Sequence, residues 1–454
     1  MQPDFPVLLS RNLSTTQLEL IRAVADEAAL HGLPLYAVGG LPRDLVLGVQ
    51  HSDLDLVVEG EAIALARALA AKYGGEVTAH PKFGTARWVL RDTKFKRPEA
   101  AAKFSRQVDS GDFLDLVSAR SETYDRPAAL PSVRLGSIED DLRRRDFTIN
   151  TLAVRLDGAG FGQVRDDFGA LEDLERGMVR VLHSHSFTDD PTRMYRAVRY
   201  EQRLGFGIAA DTLALIPAAR GLVERLSAHR IRHELDLILA EKNVESMLGR
   251  LRKLNLLRPI HAGLPRNKVA LNRVALARQP QVLSVPSWTG ADVAWVLWLM
   301  ALSQRQIASV EERLHFTKAL SQAILSASVL MSRLPALELL RASRCVAYLD
   351  RLPSLAVYAA CLGARTGRSR TVLQEYLAQW RLIRPTTTGK DLRRLGLLPG
   401  PEYKRILRVL RDAWIDGLVE TAEEERRLLR SILHRQSETR SAPARTQRRR
   451  QTRS

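Results

Sequence analysis

The apolar period of this chain changes once along its length. Through the first third, short runs with a period of two alternate with longer stretches near 3.6; past residue 170 the helical period dominates. That change restricts the fold to a small α/β domain, running to about residue 155, joined to a long helical remainder. Ser14 with Gln17 reads as a capping box that opens a helix ending at Gly32. "PLYAV" follows as a strand, "GG" as a tight turn, "LPRDLVLG" as a short helix and "LDLVV" as a second strand. "GEAIALARALAAKYGG" is an amphipathic helix closed by glycines, and "EVTAH", "GTARWVL" and "DFLDLVSAR" are further strands. Between the last two lies "RDTKFKRPEAAAKFSRQVDSG", basic and polar, which reads as a mobile loop with room for a short Ala-rich helix. In the remainder, "DDPTRMYRAVRYEQRLGF", "AHRIRHELDLILAEK" and "EYKRILRVLRDAWIDG" fit helices with apolar faces and cationic edges. No convincing strand and no fixed-period repeat is legible there.

Charge narrows the partners. The 454 residues carry a net charge of +18, which favours a polyanion: nucleic acid or an anionic membrane surface. The most apolar run, Val293 to Leu302, falls well short of the ~20 residues of a spanning helix, and "MQPDFPVLLS" lacks the features of a signal peptide. Nucleic acid is therefore the expected partner, and no membrane. Two cysteines, Cys345 and Cys361, make neither a disulfide framework nor a zinc set, which fits a reducing cytoplasm. Nothing in the sequence sets an oligomeric state.

The chemistry concentrates in "HSDLDLVV". On a strand, Asp53 and Asp55 project side by side while Leu54 and Leu56 face the other way. Two adjacent carboxylates repel, and a divalent cation between them reverses the sign; Mg²⁺ takes carboxylate oxygens together with substrate phosphate oxygens. Taken alone, "DLD" reads more often as a solvated turn. Its surroundings shift the balance. Gly39 and Gly40 let the backbone bend closely and aim N–H groups outward as an anion nest does, Arg43 follows, and a third carboxylate, Asp115, sits in the apolar strand "FLDLV".

"GGLPRD" followed by "SDLDLVV" resembles the signature of class II tRNA nucleotidyltransferases, the CCA-adding enzymes, and their bacterial poly(A) polymerase relatives. "RRDFTIN" at 144–150 resembles the second family motif. "DDFGALEDL" resembles the head-to-neck linker, "DDPTRMYRAVRYEQRLGF" the nucleotide-selecting helix, and "LSAHRIRHEL" the helix after it. The resemblance is strong over about 36–240, with a weaker match in "TGKDLRRLGLLPGPEYKRIL". It implies an α+β chain: a polymerase-beta-like head with a mixed sheet at 1–155, then all-α neck (156–250), body (251–380) and tRNA-binding tail (381–435). An Arg-rich extension at 436–454 is expected to be disordered.

The activity implied is addition of all or part of the 3′-terminal CCA to tRNA, recognised through its acceptor end and stem. CTP and ATP are the substrates, no nucleic-acid template is used, and pyrophosphate leaves by two-metal phosphoryl transfer. Asp53 and Asp55 are implied as Mg²⁺ ligands, Asp115 as the third carboxylate, and Gly39, Gly40 and Arg43 as the groups positioning the triphosphate. Arg144 and Arg145 offer guanidinium groups suited to phosphate, and Asp146 and Asn150 orient ribose or neighbouring arginines. Pro191 suits a first helical position, which makes Asp190 the expected N-cap and brings Arg193 near it at a spacing of three. An Asp/Arg pair accepts from an exocyclic amine and donates to a ring acceptor, and so selects C and A over U and G. Arg196 and Arg199, further along, are expected to reach the triphosphate.

Two departures from the family pattern stand out. Asp189-Asp190 replaces the usual Glu-Asp, and His229-Arg230 the usual Glu-Arg, although Glu234 remains. The second leaves open how the pocket is braced, and both leave open whether the enzyme adds C, A or the whole of CCA. The basic loop near 92–110 falls where such relatives differ. Poly(A) polymerase activity and a noncatalytic RNA-binding protein on the same scaffold are the alternatives.

Overall fold

Ser14 and Gln17 cap each other: the Ser14 hydroxyl accepts from the Gln17 backbone N–H at 3.3 Å, and the Gln17 side chain accepts from the Ser14 N–H at 3.0 Å. The helix Thr15–Leu30 follows, buried along Leu20, Ile21, Val24 and Ala28. The structure, a computed structural model, describes residues 3–49, 54–91, 93–95, 113–278 and 288–441. Within it the chain divides between Leu264 and Pro265 into two compact units. An unanticipated helix, Phe5–Asn12, precedes the capping box; its two turns are too short to display a period, and only Phe5 and Leu9 are buried.

The first unit is built on a seven-stranded mixed sheet. In chain order the strands are β1 (Leu35–Val38), β2 (Asp55–Val58), β3 (Glu76–His80), β4 (Thr85–Val89), β5 (Phe113–Ser118), β6 (Arg120–Thr123), β7 (Ser132–Leu135), β8 (Ala153–Arg155) and β9 (Val164–Arg165). Spatial order in the sheet is β3-β4-β5-β2-β1-β8-β9, with β6 and β7 forming a separate antiparallel ribbon. Only the β2–β5 pairing is parallel within the sheet; the other five are antiparallel. Every residue of β1 is buried, as its unbroken apolar run requires of a central strand covered on both faces. One face packs Tyr36, Val38, Val57 and Ala153 against Ile138 and Leu142 of the helix Ile138–Arg143. The helix Ala62–Tyr73 packs on β4 and β5 and buries Leu65, Ala66 and Leu69; burying each leucine contributes about 1.5–3 kcal/mol.

Beyond the sheet the unit is helical, as the period indicated, with two corrections to the all-α reading of 156–250, the first being that β9 carries the sheet past residue 155. Met178–Val179 and Gly207–Ile208 pair as short parallel strands, β10 and β11. Two residues are too few to show a period of two, so the pairing left no sequence signal.

In the second unit, the helices Gly290–Leu299, Lys318–Leu337 and Ser354–Gly363 pack on one another. Lys318–Leu337 corrects the expectation that no segment has membrane-spanning dimensions: at 20 residues and mean hydropathy 1.2 it is long and apolar enough. Serines interleaved at 321, 326, 328 and 332 disperse its apolar residues, so no continuous run is seen. Its buried Leu320, Ala323, Ile324, Ala327, Leu330, Leu334 and Leu337 recur three and four apart, the stripe of a helix laid against neighbours. Further on, Leu392, Ile406, Leu410 and Leu429 make a small separate core. The fully buried Glu425 ties it down, accepting from the backbone N–H groups of Thr386 (2.8 Å) and Thr387 (2.6 Å) and from the Trp414 indole. The helix Pro401–Ile415 turns Ile406 and Leu410 inward and leaves Lys404, Arg405 and Arg408 exposed. The helix Ala422–Ser441 continues six residues into the stretch expected to be unstructured, because extending a formed helix costs little for Gln, Glu and Arg. The rest of that extension, and nearly all of the basic loop at 92–110, lie outside the described residues.

Candidate active site

Asp55 opens β2 and Asp115 is the third residue of β5; in the parallel register they are direct partners, with side chains on one face of the sheet. Asp55 is exposed. Asp115 is gripped by Arg87, its partner across the β4–β5 pairing. Arg87 Nε donates to one carboxylate oxygen and Nη2 to the other, both at 2.8 Å, and the guanidinium lies 3.9 Å from the Phe113 ring centroid. Both partners are nearly half exposed, so the pair contributes at most about 1 kcal/mol to stability. Asp53 lies outside the described residues, and among those described no group of three metal-ligating side chains is found. The donor chemistry nonetheless suits Mg²⁺: hard carboxylate oxygens of Asp55 and Asp115 stand side by side on one face of the sheet, Asp55 exposed at the head of β2.

The glycine turn is fitted to these acids. Gly39 has φ +68°, and a Cβ there would lie 2.8 Å from Arg145 Nη1 and 3.5 Å from Asp55 Oδ2. The site therefore needs a residue that is both left-handed and without a side chain. Gly39→Ala is expected to cost about 1–2 kcal/mol of stability, with Arg145 displaced from its place beside the turn; thermal melts measure the loss.

Beside the turn opens a cavity of about 370 Å³, in the range of nucleotide-sized pockets. Gly39, Gly40 and Asp55 line one side and Arg144, Arg145, Asp146 and Asn150 the next. Asp190, Thr192, Arg193, Arg196 and Tyr200 come from the helix Arg193–Leu204 and its approach, and Glu234 from the helix Ala228–Ala240. The "RRDFTIN" arginines are set by a fully buried carboxylate. Asp141 accepts from Arg144 Nη2 at 2.6 Å and from Arg145 Nη2 at 2.8 Å. Burial pushes its carboxyl up, but the two guanidinium groups hold it below the usual range. Arg144 also donates to Glu122 at 3.1 Å.

Asp146 anchors the opposite wall. Arg196 donates to Oδ2 through Nε (2.7 Å) and Nη2 (2.6 Å), while Asn150 and the Phe147 N–H donate to Oδ1. Burial alone would raise this carboxyl; Arg196 and Asn150 bring it down to about 2. Arg43 stands behind the wall, not at its surface: it is 3% exposed, donates to Asn150 Oδ1 at 2.6 Å and pairs with Asp44 at 2.7 Å. Arg199 is likewise set back, with Nη1 3.7 Å from Glu241. Both were expected at the triphosphate. Arg43 is instead buried behind the lining, where it fixes Asn150.

The Asp190 region departs from the expected cap. The helix starts at Arg193 with Thr192 before it, and Asp190 is extended (φ −133°, ψ 97°), ending the short helix Ser186–Asp189. Pro191 keeps Asp190 extended, and a turn through Pro191 and Thr192 precedes the helix. Asp190 Oδ1 takes three donors: the Thr192 N–H (2.9 Å), the Thr192 hydroxyl (2.6 Å) and Arg230 Nη2 (2.6 Å). Arg193 donates to Ser186 Oγ (2.7 Å) and to the Arg144 carbonyl (2.8 Å), so both residues line the cavity with their own supports. Arg230 thus braces the pocket although His229 replaces the usual glutamate; His229 is exposed, its ring parallel to that of His233 at 6.4 Å.

Several lining residues escaped the sequence reading. Glu122 and Tyr124 come from β6 and the turn after it, and nothing local marks them. The Tyr124 hydroxyl, buried beside Glu122, is pushed up to about 12. Tyr200 has three guanidinium groups near its ring, from Arg43, Arg196 and Arg199 at 5.2–5.8 Å. Its spacing of seven and four from Arg193 and Arg196 is the helical signal that would have found it.

Comparison with known proteins places this arrangement. The model of the poly A polymerase head domain matches residues 35–180, and that of a probable RNA- and SrmB-binding site of polymerase A matches 205–265. An A-adding tRNA nucleotidyltransferase of Geobacter sulfurreducens is 36% identical over 93% of this chain, which spans only 48% of that protein. An A-adding tRNA nucleotidyltransferase of Halalkalibacterium halodurans is 32% identical over 94% of this chain and 95% of its own length. Among solved structures, a Thermotoga maritima CCA-adding enzyme complexed with tRNA matches with a TM-score of 0.69 at 25% identity, over 95% of this chain and all of that one.

Proposed function

The chain belongs to the tRNA nucleotidyltransferase and poly(A) polymerase family, and on that premise we propose that it transfers a nucleoside monophosphate from ATP or CTP to the 3′-hydroxyl of tRNA, releasing pyrophosphate. The terminal adenylate is the step we assign to it, since both relatives described above, from Geobacter sulfurreducens and Halalkalibacterium halodurans, are A-adding enzymes. The observation that carries the reading is convergence: one cavity gathers the glycine turn, an exposed aspartate at the head of β2, two arginines and the Asp190/Arg193 pair.

Asp53 and Asp55 would hold Mg²⁺, which when bound lowers the pKa of the attacking hydroxyl and neutralises phosphate charge. Arg144 and Arg145, fixed by Asp141, donate to triphosphate oxygens. Asp190 accepts from the exocyclic amine of the base and Arg193 donates to its ring nitrogen. Asp146 and Asn150 hold Arg196 and the ribose side. The exposed cations of the second unit meet tRNA phosphates, with affinity that falls as salt rises. The cytoplasm is the location that fits a tRNA substrate and two free, buried cysteines.

The deciding experiment gives purified protein tRNAs ending before the tail, after C and after CC, with one labelled nucleotide at a time. A single A on the CC-ended tRNA supports the assignment. Addition of C shows a CC- or CCA-adding enzyme, long adenylate runs on unstructured RNA show a poly(A) polymerase, and silence on every substrate shows a binding protein. In the same format Arg193→Ala is expected to reduce the preference for ATP over GTP and UTP by about 10-fold or more, the discrimination of one well-placed hydrogen-bonding group. Unchanged selectivity removes Arg193 from base reading.

A further inference from the structure

In the cavity wall, Glu234 carries a carboxylate oxygen, Oε2, that is buried and has no hydrogen-bond partner among the described residues. The side chain is 5% exposed, and its other oxygen stops 3.9 Å from Arg196 Nη1. Of the nearby donors, Arg196 commits Nε and Nη2 to Asp146 and Arg230, one turn earlier on the same helix, commits Nη2 to Asp190, while Arg199 Nε is itself buried without a partner and so does not reach Glu234. Burial pushes the Glu234 carboxyl above its ordinary range, against the pull of Arg196 and Arg199, and the charges of Asp190 and Asp146 push the same way. A buried acceptor without a donor is costly, and such groups persist where a ligand completes them.

The missing donor has a definable chemistry. An exocyclic amine on a nucleobase carries two in-plane N–H bonds. On the function proposed above, on which this inference rests, Asp190 takes one of them; the second points onward and needs an acceptor of its own. Arg230 and Glu234 lie four residues apart on one helix face, so the residue that braces Asp190 and the unpartnered carboxylate approach the cavity together. We propose that Glu234 is a specificity-determining residue that accepts the second N–H, so that the amine of the incoming nucleotide is held between two carboxylates. The terminal torsion of a glutamate is soft, so presenting either oxygen requires no backbone change. A base with a carbonyl in that place sets a lone pair against two negative groups and is rejected by repulsion as well as by the lost bond.

The test compares ATP with purine riboside triphosphate, which keeps the ring and the phosphates but lacks the amine. Equilibrium binding to the full chain is measured for the wild type, E234L and E234D; the second variant keeps the charge and withdraws the acceptor by one methylene. The wild type is expected to prefer ATP by about 10²-fold and each variant by about 10-fold or less, the scale of hydrogen bonds made to a charged group. E234D decides the matter should E234L fail to fold. Variants that bind ATP more weakly yet keep the full ATP preference show a merely structural role and overturn the proposal. A wild type that does not distinguish the two nucleotides overturns it together with the base-reading role of Asp190. Because the readout is binding, a wild type that binds ATP but transfers nothing overturns only the proposed reaction, and the preference ratio still decides Glu234.

Discussion

Asp55→Asn is expected to lower nucleotide transfer by about 10³-fold, the scale set by removing one group that stabilises transition-state charge, while tRNA affinity stays within about threefold because phosphate contacts dominate it. The asymmetry follows from where Asp55 sits. It is exposed at the head of β2, outside the apolar core, and asparagine keeps its volume, so folding has no reason to suffer. Single-turnover transfer with labelled ATP and filter binding of tRNA measure the two quantities. Asp115→Asn is expected to lose less, because both oxygens of Asp115 are already occupied by Arg87. Equal losses at the two positions, or tRNA binding that collapses with transfer, contradict the division of labour assigned to the pair.

Asp146→Asn acts through the opposite property, burial. The carboxylate is the counter-charge of Arg196 and also receives Asn150, which in turn receives Arg43. Removing it leaves a half-buried guanidinium without its anion, a change that costs about 3–5 kcal/mol in buried pairs. A clear fall in denaturation midpoint is expected, together with weakened ATP binding from a loosened wall. The sign of the pH dependence is fixed by the depressed carboxyl, about 2 against an ordinary 3.8. The stabilisation is fully present above about pH 4 and is lost as pH falls through about 2, a loss of about 2 kcal/mol. Wild type should therefore show an acid-induced drop in stability in that window that D146N lacks. Parallel acid profiles in the two proteins contradict the assignment.

Legibility differed by the range of the interaction that sets each feature. The strands at 35–38, 55–58, 76–80, 85–89 and 113–118 were readable because apolar alternation and glycine punctuation are local. The Ser14 capping box was readable because both its partners lie within one turn. The ribbon bearing Glu122 was not, since its four-residue strands are half-exposed and polar and their register is set by pairing alone. Within the site, residue types in motifs were legible and their orientations were not. Asp190 and Arg193 do line the cavity, yet the helix begins three residues beyond Asp190, after a turn through Pro191 and Thr192. Arg43 belongs to the expected motif and faces Asn150, an outcome decided by packing across 107 residues of chain. Glu234 was named in the sequence as a retained acid of its motif, but that its Oε2 lacks a donor is a property of the assembled wall and was not legible there.

The parallel pairing of β2 with β5 has a consequence for synthesis on the ribosome. Asp55 gains its partner Asp115 only after β5 has emerged, roughly 60 residues later, or about 3–12 s at ordinary elongation rates. The central β1 must wait longer still, for β8, and the cavity stays incomplete until Glu234 is out. A nascent chain shorter than this exposes a row of apolar strands with unsatisfied edges, and nucleotide cannot rescue it because its binding wall does not yet exist. Protection of the growing polypeptide falls instead to whatever shields those edges at the exit tunnel.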